Sequence, residues 1–495
     1  PIIGYNKKDD FNVNTIRLWT TKESPKNFNL KHFNAGQLDE ASENTILTDL
    51  LYPADHHDLG RRFRLKQEFL LVSASIQDII ARYLKDHISF DEFADKVRIQ
   101  INDTHPSLVV AELIHQLTNY HNISFENAYQ ITKTSVNYTN HTVLVEALET
   151  WSHTRLKDLL PMQYKIIERL NLEFCNKVRD YSSNDEDLVK RMSIIEHGRV
   201  HMARLAIYGS DKVNGVAKLH SNILKQGLFK DFHHFESDKF LNITNGVSHR
   251  RFLISCNPAL TKFIDKQIGE EWKEDFSKIK KLKEIEDENV SNQLEDIKKE
   301  NKDFLIDYIN RMVKFRDSQG NVIRSNLHFD NSWLFDVHIK RIHQYKRQLL
   351  NILNVVATHI NLQKNGFDES KQAKRVVIFS GKAAASYKAA LDILSFIHSV
   401  SKKINNDDSV NQYLNVLFLE NYNVTLAEKL IPATDLSQQI STTGLEASGT
   451  GNMKFSMNGA LTIATDDGAN VEMREAVKDD YWPFKFGADL DTMKI

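Results

Sequence analysis

The sequence predicts an α/β protein with a parallel, doubly wound sheet. After Gly320, three short and continuously apolar segments alternate with longer segments in which apolar residues recur at helical spacing. Continuous apolar runs are typical of strands buried on both faces, and their alternation with helices is typical of parallel sheets covered on both sides. The 495 residues allow two or more domains, each with its own core.

The part of the chain before Gly320 is mainly helical in pattern. Apolar spacing predicts helices over residues 62–84, 107–118, 124–135 and 185–207. Residues 270–318 are charged and poor in glycine, so we expect a helical arm on the surface instead of a part of the core.

The pattern after Gly320 is regular. We predict strands over residues 334–339, 374–379 and 413–419, and helices over residues 345–360, from a turn at 381–383 to residue 400, and onward from residue 424. Ligands of parallel sheets bind beyond the C-terminal ends of the strands. The segment after Ile339 and the glycine-rich segment 446–455 are therefore expected at the same sheet edge.

Composition excludes several classes of protein. A formal net charge of −2 gives no electrostatic case for binding nucleic acid or an anionic membrane. The longest apolar run, residues 69–72, is far shorter than a membrane span. Two cysteines, Cys175 and Cys256, cannot form a disulfide framework in a chain of this size, which favours a reducing compartment such as the cytoplasm.

The segment EASGTGNMKF at residues 446–455 combines glycines, small hydroxyl side chains and Lys454. Glycines let a backbone approach a ligand closely, and exposed N–H groups attract anions. A lysine there can bind phosphate or form an imine with a carbonyl cofactor. Pattern alone leaves three interpretations open: a surface turn before a helix, a dinucleotide loop with Lys454 in place of the third glycine of G-x-G-x-x-G, or a lysine carrying a phosphorylated cofactor.

The segment KRIHQYKR at residues 340–347 places four cations and a histidine directly after a predicted strand. Cations are unfavourable near a helix N-terminus, so a bound phosphate would explain them. An exposed, basic helix start is the alternative. The sequence shows no Ser-His-Asp or zinc-ligand pattern and no carboxylate pair with hydrolase spacing, and we expect no metal site.

Four segments resemble one known family. Residues 446–473, EASGTGNMKFSMNGALTIATDDGANVEM, closely resemble the pyridoxal-phosphate segment of the glycogen, starch and maltodextrin (α-1,4-glucan) phosphorylases. KRIHQYKRQ at 340–348 resembles that family's KRIHEYKRQ motif, and YTNHTVL at 138–144 and TNG at 244–246 resemble its sugar-contacting segments. The resemblance covers essentially the whole chain. It implies the GT-B architecture, with two Rossmann-like doubly wound domains, a cleft between them, and an incomplete N-terminal domain.

The resemblance divides the chain at residue 244. It implies a partial N-terminal glucan-binding and gate domain over residues 1–244, and a partial C-terminal domain for pyridoxal phosphate and phosphate over residues 245–495. It begins at Pro1 as though inside the family's N-terminal domain and stops at Ile495 before the family's C-terminus, so we expect a fragment. Residues 33–44 resemble part of a dimer interface but look shortened.

The resemblance also implies a role for individual residues. Lys454 would hold pyridoxal 5'-phosphate, Lys340 would contact its phosphate, and Arg341 and Lys346 would hold the substrate phosphate. Further cofactor contacts would come from Thr450, Gly451 and Tyr422. Sugar contacts would come from His141, Asn245, Tyr345, Glu446, Ser448 and Gly449, and Asp55 would lie on a mobile gate loop. Without the resemblance, His141 fits a structural histidine and Asn245 fits a turn.

The implied activity is the reversible, retaining phosphorolysis of an α-1,4-glucan to glucose 1-phosphate. The cofactor's phosphate would exchange a proton with the substrate phosphate, which protonates the leaving oxygen. The implied partners are the glucan, inorganic phosphate and a second copy of the chain. Two other hypotheses remain: a dinucleotide-dependent α/β enzyme, and a binding-only or inactive fragment.

Overall fold

The computed structural model describes residues 15–21, 47–50, 53–285, 289–312, 327 and 329–493, together with four two-residue strands. Those strands pair as Ile2–Ile3 with Asn12–Val13 and Phe315–Arg316 with Val322–Ile323. The predicted interface segment 33–44 lies outside the described residues. The chain forms two compact units, the N-terminal unit of residues 17–244 and the C-terminal unit of residues 245–495 with 1–16.

The N-terminal unit contains a parallel sheet of four strands. Their order in the sheet is the same as their order along the chain. The strands are β1 (Ile99–Asn102), β2 (Val136–Thr139), β3 (Val213–Gly215) and β4 (Phe240–Asn242). A second, antiparallel sheet has the strand order Thr150–Ser152, Arg199–His201, Ile195–Glu196.

Helices cover this sheet and build most of the unit. They are Asp58–Tyr83, Phe93–Lys96, Val109–Tyr120, Phe125–Ser135, His153–Leu159, Pro161–Tyr181, Glu186–Met192, Met202–Tyr208, Lys218–Ile223, Leu224–Leu228 and Lys230–Phe235, with single 3₁₀ turns at Val145–Ala147 and Ser237–Lys239. The predicted helix over residues 62–84 is confirmed, but it begins at Asp58 because the His57 side chain accepts a hydrogen bond from Gly60 N and caps it.

The single helix predicted over residues 185–207 is wrong. The structure has two short helices there, separated by a hairpin between Ile195–Glu196 and Arg199–His201. His197 and Gly198 form its turn, and both have positive φ angles. The apolar spacing continues through the hairpin because its strand residues pack into the same core, so spacing alone could not reveal the break.

The C-terminal unit is built on a six-stranded parallel sheet. Its strands are β5 (Leu334–Ile339), β6 (Arg375–Ser380), β7 (Leu414–Leu419), β8 (Leu436–Gln439), β9 (Leu461–Ala464) and β10 (Phe484–Lys485), in the order β7-β6-β5-β8-β9-β10. The three predicted strands are confirmed to within one residue. The order reverses between β5 and β8, and ligands of open α/β sheets bind at such a switch point.

Helices pack on both faces of this sheet, which confirms the α/β class. Leu305, Leu430 and Phe455 pack on one face, and Ile352 and Ile397 pack on the other. The helices are Arg250–Ser255, Pro258–Ile268, Val290–Met312, Gln348–Asn365, Lys388–Asn405, Val424–Ala433, Gly451–Met457, Asn470–Val477 and Leu490–Met493, with 3₁₀ segments at Glu271–Lys273, Phe276–Glu284, Gln344–Lys346 and Asp479–Tyr481. Among the described residues, no helix has the length and apolarity to cross a membrane.

The helix Val290–Met312, the arm helix, is largely exposed or half-buried, as a surface arm would be, but one side of it packs on the core. Leu305 and Ile309 are fully buried against β5 and its neighbours. Lys298 Nζ donates hydrogen bonds to three backbone carbonyls at 2.7–3.0 Å. Because its lysines use their long stems to reach buried acceptors, a charged sequence here does not exclude a buried side.

Candidate functional site

The basic loop follows β5 at the switch point. Lys340 N donates to Ser380 O (3.1 Å) and Ile342 N donates to Lys382 O (3.0 Å), so the loop continues the pairing with its neighbour. A Cβ at Gly381 would lie 1.9 Å from Lys340 O, so this close approach requires glycine. Arg341 is exposed, while the Lys340 side chain is only 12% exposed.

Two lysines of this loop converge on one carboxylate. Lys346 Nζ lies 2.5 Å from Glu446 Oε2, and Lys340 Nζ lies 3.9 Å from the same oxygen. The three side chains are only 11–15% exposed. Lys346 Nζ also lies 4.6 Å from the centre of the Tyr345 ring. Lys340, Tyr345, Lys346 and Glu446 are hereafter the phosphate cluster.

The pKa values in the phosphate cluster follow from burial and from these distances. Burial lowers the pKa of Lys340 to about 8, because Glu446 is too distant to offset it. Burial also acts on Lys346, but contact with Glu446 raises the pKa of that amine above its usual value. Burial alone would raise the pKa of Glu446, yet the two lysines hold it below its ordinary range.

Asp467 organises the loop that carries Glu446. Its carboxylate accepts hydrogen bonds from Ser441 Oγ (2.7 Å), Gly444 N (2.9 Å) and Glu446 N (2.8 Å). Burial raises the pKa of Asp467 to about 6. At Gly468, where φ is +51°, a Cβ would lie 2.5 Å from Ser448 O. The close approach of these two backbone segments therefore requires glycine. Asp467 was part of the resembling segment but received no role from the sequence.

Lys454 lies on a short helix, Gly451–Met457, called the lysine helix. Its Nζ lies 4.1 Å from the centre of the Phe252 ring. Burial, reinforced by the positive charge of Arg251, lowers the pKa of the amine. Within the described residues this amine has neither a hydrogen bond nor an ion pair. A half-buried, unpaired amine with a lowered pKa is suited to bond covalently with an aldehyde.

Asn458 holds the end of the lysine helix in place. Its Nδ2 donates to Phe252 O (2.7 Å) and to Lys454 O (2.9 Å), and its Oδ1 accepts from Asn257 Nδ2 (3.0 Å). Its carbonyl accepts from Lys298 Nζ at 3.0 Å. One buried side-chain amide thus holds the backbones of both Lys454 and Phe252, and no sequence motif marks it.

The other predicted cofactor and sugar residues of this unit surround the start of the lysine helix. Ser448 is buried, and Gly449 and Thr450 lead into the helix. Gly451 opens it beside Gln439, the last residue of β8. The first N–H groups of any helix lack intrahelical acceptors, and here Met453 N donates instead to Asn452 Oδ1 at 2.9 Å. Tyr422 packs on the core face that holds Phe455, and burial raises its pKa.

In the N-terminal unit, the loop of His141 is shaped by Asn140. Asn140 Nδ2 donates to Tyr138 Oη (3.0 Å), and its Oδ1 accepts from Thr142 N (3.0 Å). Burial lowers the pKa of His141, against the opposing charge of Asp103. His141 is therefore held neutral, which suits a hydrogen bond to a sugar hydroxyl.

A second histidine, His220, supports this loop, and no motif in the sequence marks it. Its Nδ1 accepts from Val216 N (3.1 Å), so Nε2 carries the proton and donates to Asn140 Oδ1 at 3.1 Å. It thereby braces the loop that carries His141. The only sequence signal is its position on the helix Lys218–Ile223, directly after β3.

We expect His220 to make the N-terminal unit sensitive to acid. Burial lowers its pKa to about 4. The unfolded chain binds a proton near pH 6.5 whereas the folded unit does not, so stability is lost as the pH falls from 6.5 towards 4. The loss is at most about 1.4 kcal/mol per pH unit.

Urea unfolding at pH 7 and pH 4.5 tests this expectation. The variant His220→Gln should be less stable than the unmodified chain at pH 7, and the difference should shrink at pH 4.5. His234→Gln, at an exposed position of the same unit, serves as the control and should leave the pH dependence unchanged. A pH-independent effect of His220→Gln would contradict the assignment.

Asp55 and Asn245, the two remaining predicted site residues, lie in irregular segments outside helices and strands. Asp55 Oδ2 lies 3.4 Å from Arg64 Nη1, and its carbonyl accepts from Arg61 Nη1 at 3.0 Å. Residues 51–52 of the predicted gate loop lie outside the described part of the chain. Asn245 is half-buried in an irregular segment after β4, with no hydrogen bond to the described residues.

The structure brings some predicted residues together and leaves others apart. Lys340, Tyr345, Lys346 and Glu446 form one cluster, while the Arg341 guanidinium is exposed and makes no ion pair within the described part of the chain. Lys454 lies on the helix that connects β8 to β9. Among the described residues, no group of three or more His, Cys, Asp or Glu is placed to hold a metal ion.

A doubly wound α/β fold with two buried lysines at the point where the strand order reverses places cations where open α/β sheets bind their ligands. The chain belongs to the carbohydrate phosphorylase family, which it matches over residues 1–494. This membership confirms the resemblance inferred from the sequence.

Individual relatives support the same assignment. A glycogen phosphorylase of Chlamydia pneumoniae is 44% identical over 485 residues, which cover 96% of this chain and 57% of that protein. The muscle form of glycogen phosphorylase of Oryctolagus cuniculus is 44% identical over 509 residues, covering 100% of this chain and 58% of that protein. The muscle form of Homo sapiens is 44% identical over 511 residues. The chain thus spans somewhat more than half the length of these curated relatives.

Proposed function

We propose that the chain is the part of an α-1,4-glucan phosphorylase that binds pyridoxal phosphate and substrate phosphate. The protein would convert glycogen, starch or maltodextrin and inorganic phosphate to glucose 1-phosphate, with retention. The observation that carries this proposal is the unpaired, half-buried amine of Lys454, which lies on a helix between two strands of the sheet that also positions the phosphate cluster. Family membership supports it independently.

The residues present fit pyridoxal phosphate. Lys454 offers an amine of lowered pKa for the aldehyde, and Phe252 offers an aromatic face within 4.1 Å of it. Thr450 and Gly451 offer N–H groups at the helix start, and Lys340 offers a cation for the phosphate. When bound, the cofactor supplies a phosphate group that can exchange a proton with the substrate phosphate.

The chain's own residues would bind and orient the reactants. Lys340, Arg341 and Lys346 would hold two phosphates near each other against their mutual repulsion. Glu446, Ser448 and Gly449 would contact sugar hydroxyls, together with Tyr345, His141 and Asn245. Fixing the sugar in this way favours an oxocarbenium-like transition state by orientation.

Further properties belong to the same proposal. Residues 1–244 would contribute glucan binding, with Asp55 on the gate, and residues 245–495 would contribute cofactor and phosphate binding. Cys175 and Cys256 are both free thiols, which favours a reducing compartment such as the cytoplasm. A homodimer is the assembly we propose.

The test is covalent attachment of the cofactor. Purified protein is incubated with pyridoxal phosphate, its near-ultraviolet absorbance is recorded before and after borohydride, and the modified peptide is identified by mass spectrometry. We expect stable modification of Lys454. NAD(P) binding without a covalent cofactor would instead favour the dinucleotide hypothesis and overturn the proposal.

A further inference from the structure

Glu446 already occupies the centre of the phosphate cluster. Its Oε2 lies within hydrogen-bond distance of Lys346 Nζ and 3.9 Å from Lys340 Nζ. These are the two ammonium groups that the proposed function gives to phosphates. Two buried ammonium groups facing the same point repel each other and need an anion between them. In this structure the chain provides that anion itself.

The two loops that form this contact are held by their backbones. Thr442 N donates to Tyr345 O at 2.9 Å, and Glu446 N donates to Asp467 Oδ2 at 2.8 Å. The positions of the Lys346 and Glu446 backbones are therefore fixed relative to each other. Exchange of the carboxylate therefore requires rotation of its own side chain and not movement of either loop.

We propose that Glu446 is an exchangeable internal anion: inorganic phosphate displaces its carboxylate from Lys346, and the displaced carboxylate then accepts a hydrogen bond from a sugar hydroxyl. The inference rests on the proposed function and adds that the binding of phosphate and the binding of sugar are coupled. Each charged group keeps a partner throughout, because Lys346 exchanges a carboxylate for a phosphate while Glu446 exchanges a cation for hydroxyl donors. Phosphate and sugar therefore favour each other's binding through one side chain.

The first test measures the dissociation constant of inorganic phosphate by calorimetry in the absence of sugar. We expect Glu446→Gln to bind phosphate about tenfold more tightly, since a charge-assisted contact no longer has to be broken first. The same variant should bind glucose more weakly. If Glu446 merely positions the lysines for phosphate, its replacement would weaken phosphate binding, and that result would overturn the proposal.

Two further variants distinguish the loss of the contact between Glu446 and the lysines from a general loss of negative charge. Asp466→Asn removes a carboxylate that is equally buried, at 15% exposure, but pairs with Arg474 and Lys485 instead of the phosphate cluster. It should change phosphate affinity less than twofold. Glu446→Asp keeps the charge but shortens the reach by one methylene, and we expect phosphate to bind about threefold more tightly. Equal effects of Asp466→Asn and Glu446→Gln would contradict the exchange.

The coupling itself provides a readout that a structural role would not change. In the unmodified chain, saturating glucose should lower the dissociation constant of phosphate, and saturating phosphate should lower that of glucose by the same factor. Both effects should disappear in Glu446→Gln. Failure of pyridoxal phosphate to attach to Lys454 would overturn the proposed function and this inference with it. Normal attachment without the coupling would overturn the inference alone.

Discussion

Replacing Lys454 with alanine is expected to abolish the proposed covalent attachment of pyridoxal phosphate and, with it, the proposed phosphorolysis. Burial also lowers the pKa of Lys298 and Lys340 in this unit, but both have polar partners, whereas the Lys454 amine has no hydrogen bond or ion pair with the described residues. Lys454→Arg should fail equally, because a guanidinium that stays protonated keeps the positive charge but does not form the linkage. The measurement is peptide mass after borohydride reduction, with glucose 1-phosphate formation as the second readout.

Lys262→Ala is the matched control for this prediction. Lys262 is exposed on the helix Pro258–Ile268 of the same unit, so its replacement should leave both readouts unchanged. Full activity of Lys454→Ala without bound cofactor would contradict the assignment of this lysine.

The second large effect is expected in stability. Lys302 Nζ, on the arm helix, lies 2.7 Å from Asp435 Oδ2 and donates to Trp333 O at 2.8 Å. Its side chain is 8% exposed, and that of Asp435 is 24% exposed. Lys302→Met leaves this carboxylate without its cation beside β5, and should cost about 3 kcal/mol, as expected for breaking a mostly buried pair.

Hydrogen exchange of peptides from β5 and the arm helix would measure this loss. A cost of that size corresponds to a roughly hundredfold drop in protection. Lys299→Met removes a neighbouring lysine whose pair with Glu295 is exposed to solvent, and it should leave protection nearly unchanged. Similar losses in both variants would show that the buried pair has no special importance.

The sequence predicted the strands of the C-terminal unit well because a strand buried on both faces needs a continuous apolar run. Leu334–Ile339 was predicted to the residue. The phosphate cluster was predicted only as a set of candidates. Glu446 and Lys346 are 100 residues apart, and their contact depends on β5 and β8 being neighbours, which local pattern cannot reveal.

Other features were missed because their signal is tertiary. The buried face of the arm helix was hidden by its charged composition, since Lys298 and Lys302 look like surface residues until their acceptors are known. His220 was missed because its role lies in two hydrogen bonds and not in a motif. Residues that position the site are therefore harder to find from sequence than residues that contact ligands.

The three hydrogen bonds of Lys298 also constrain how the chain folds during synthesis. Their acceptors, the carbonyls of Pro432, Thr434 and Asn458, follow the lysine by 134, 136 and 160 residues. The arm helix therefore emerges from the ribosome long before its partners exist, with a strip of apolar side chains exposed. Contacts this distant in sequence close slowly, so the C-terminal unit is expected to be the part of the nascent chain that most depends on chaperones.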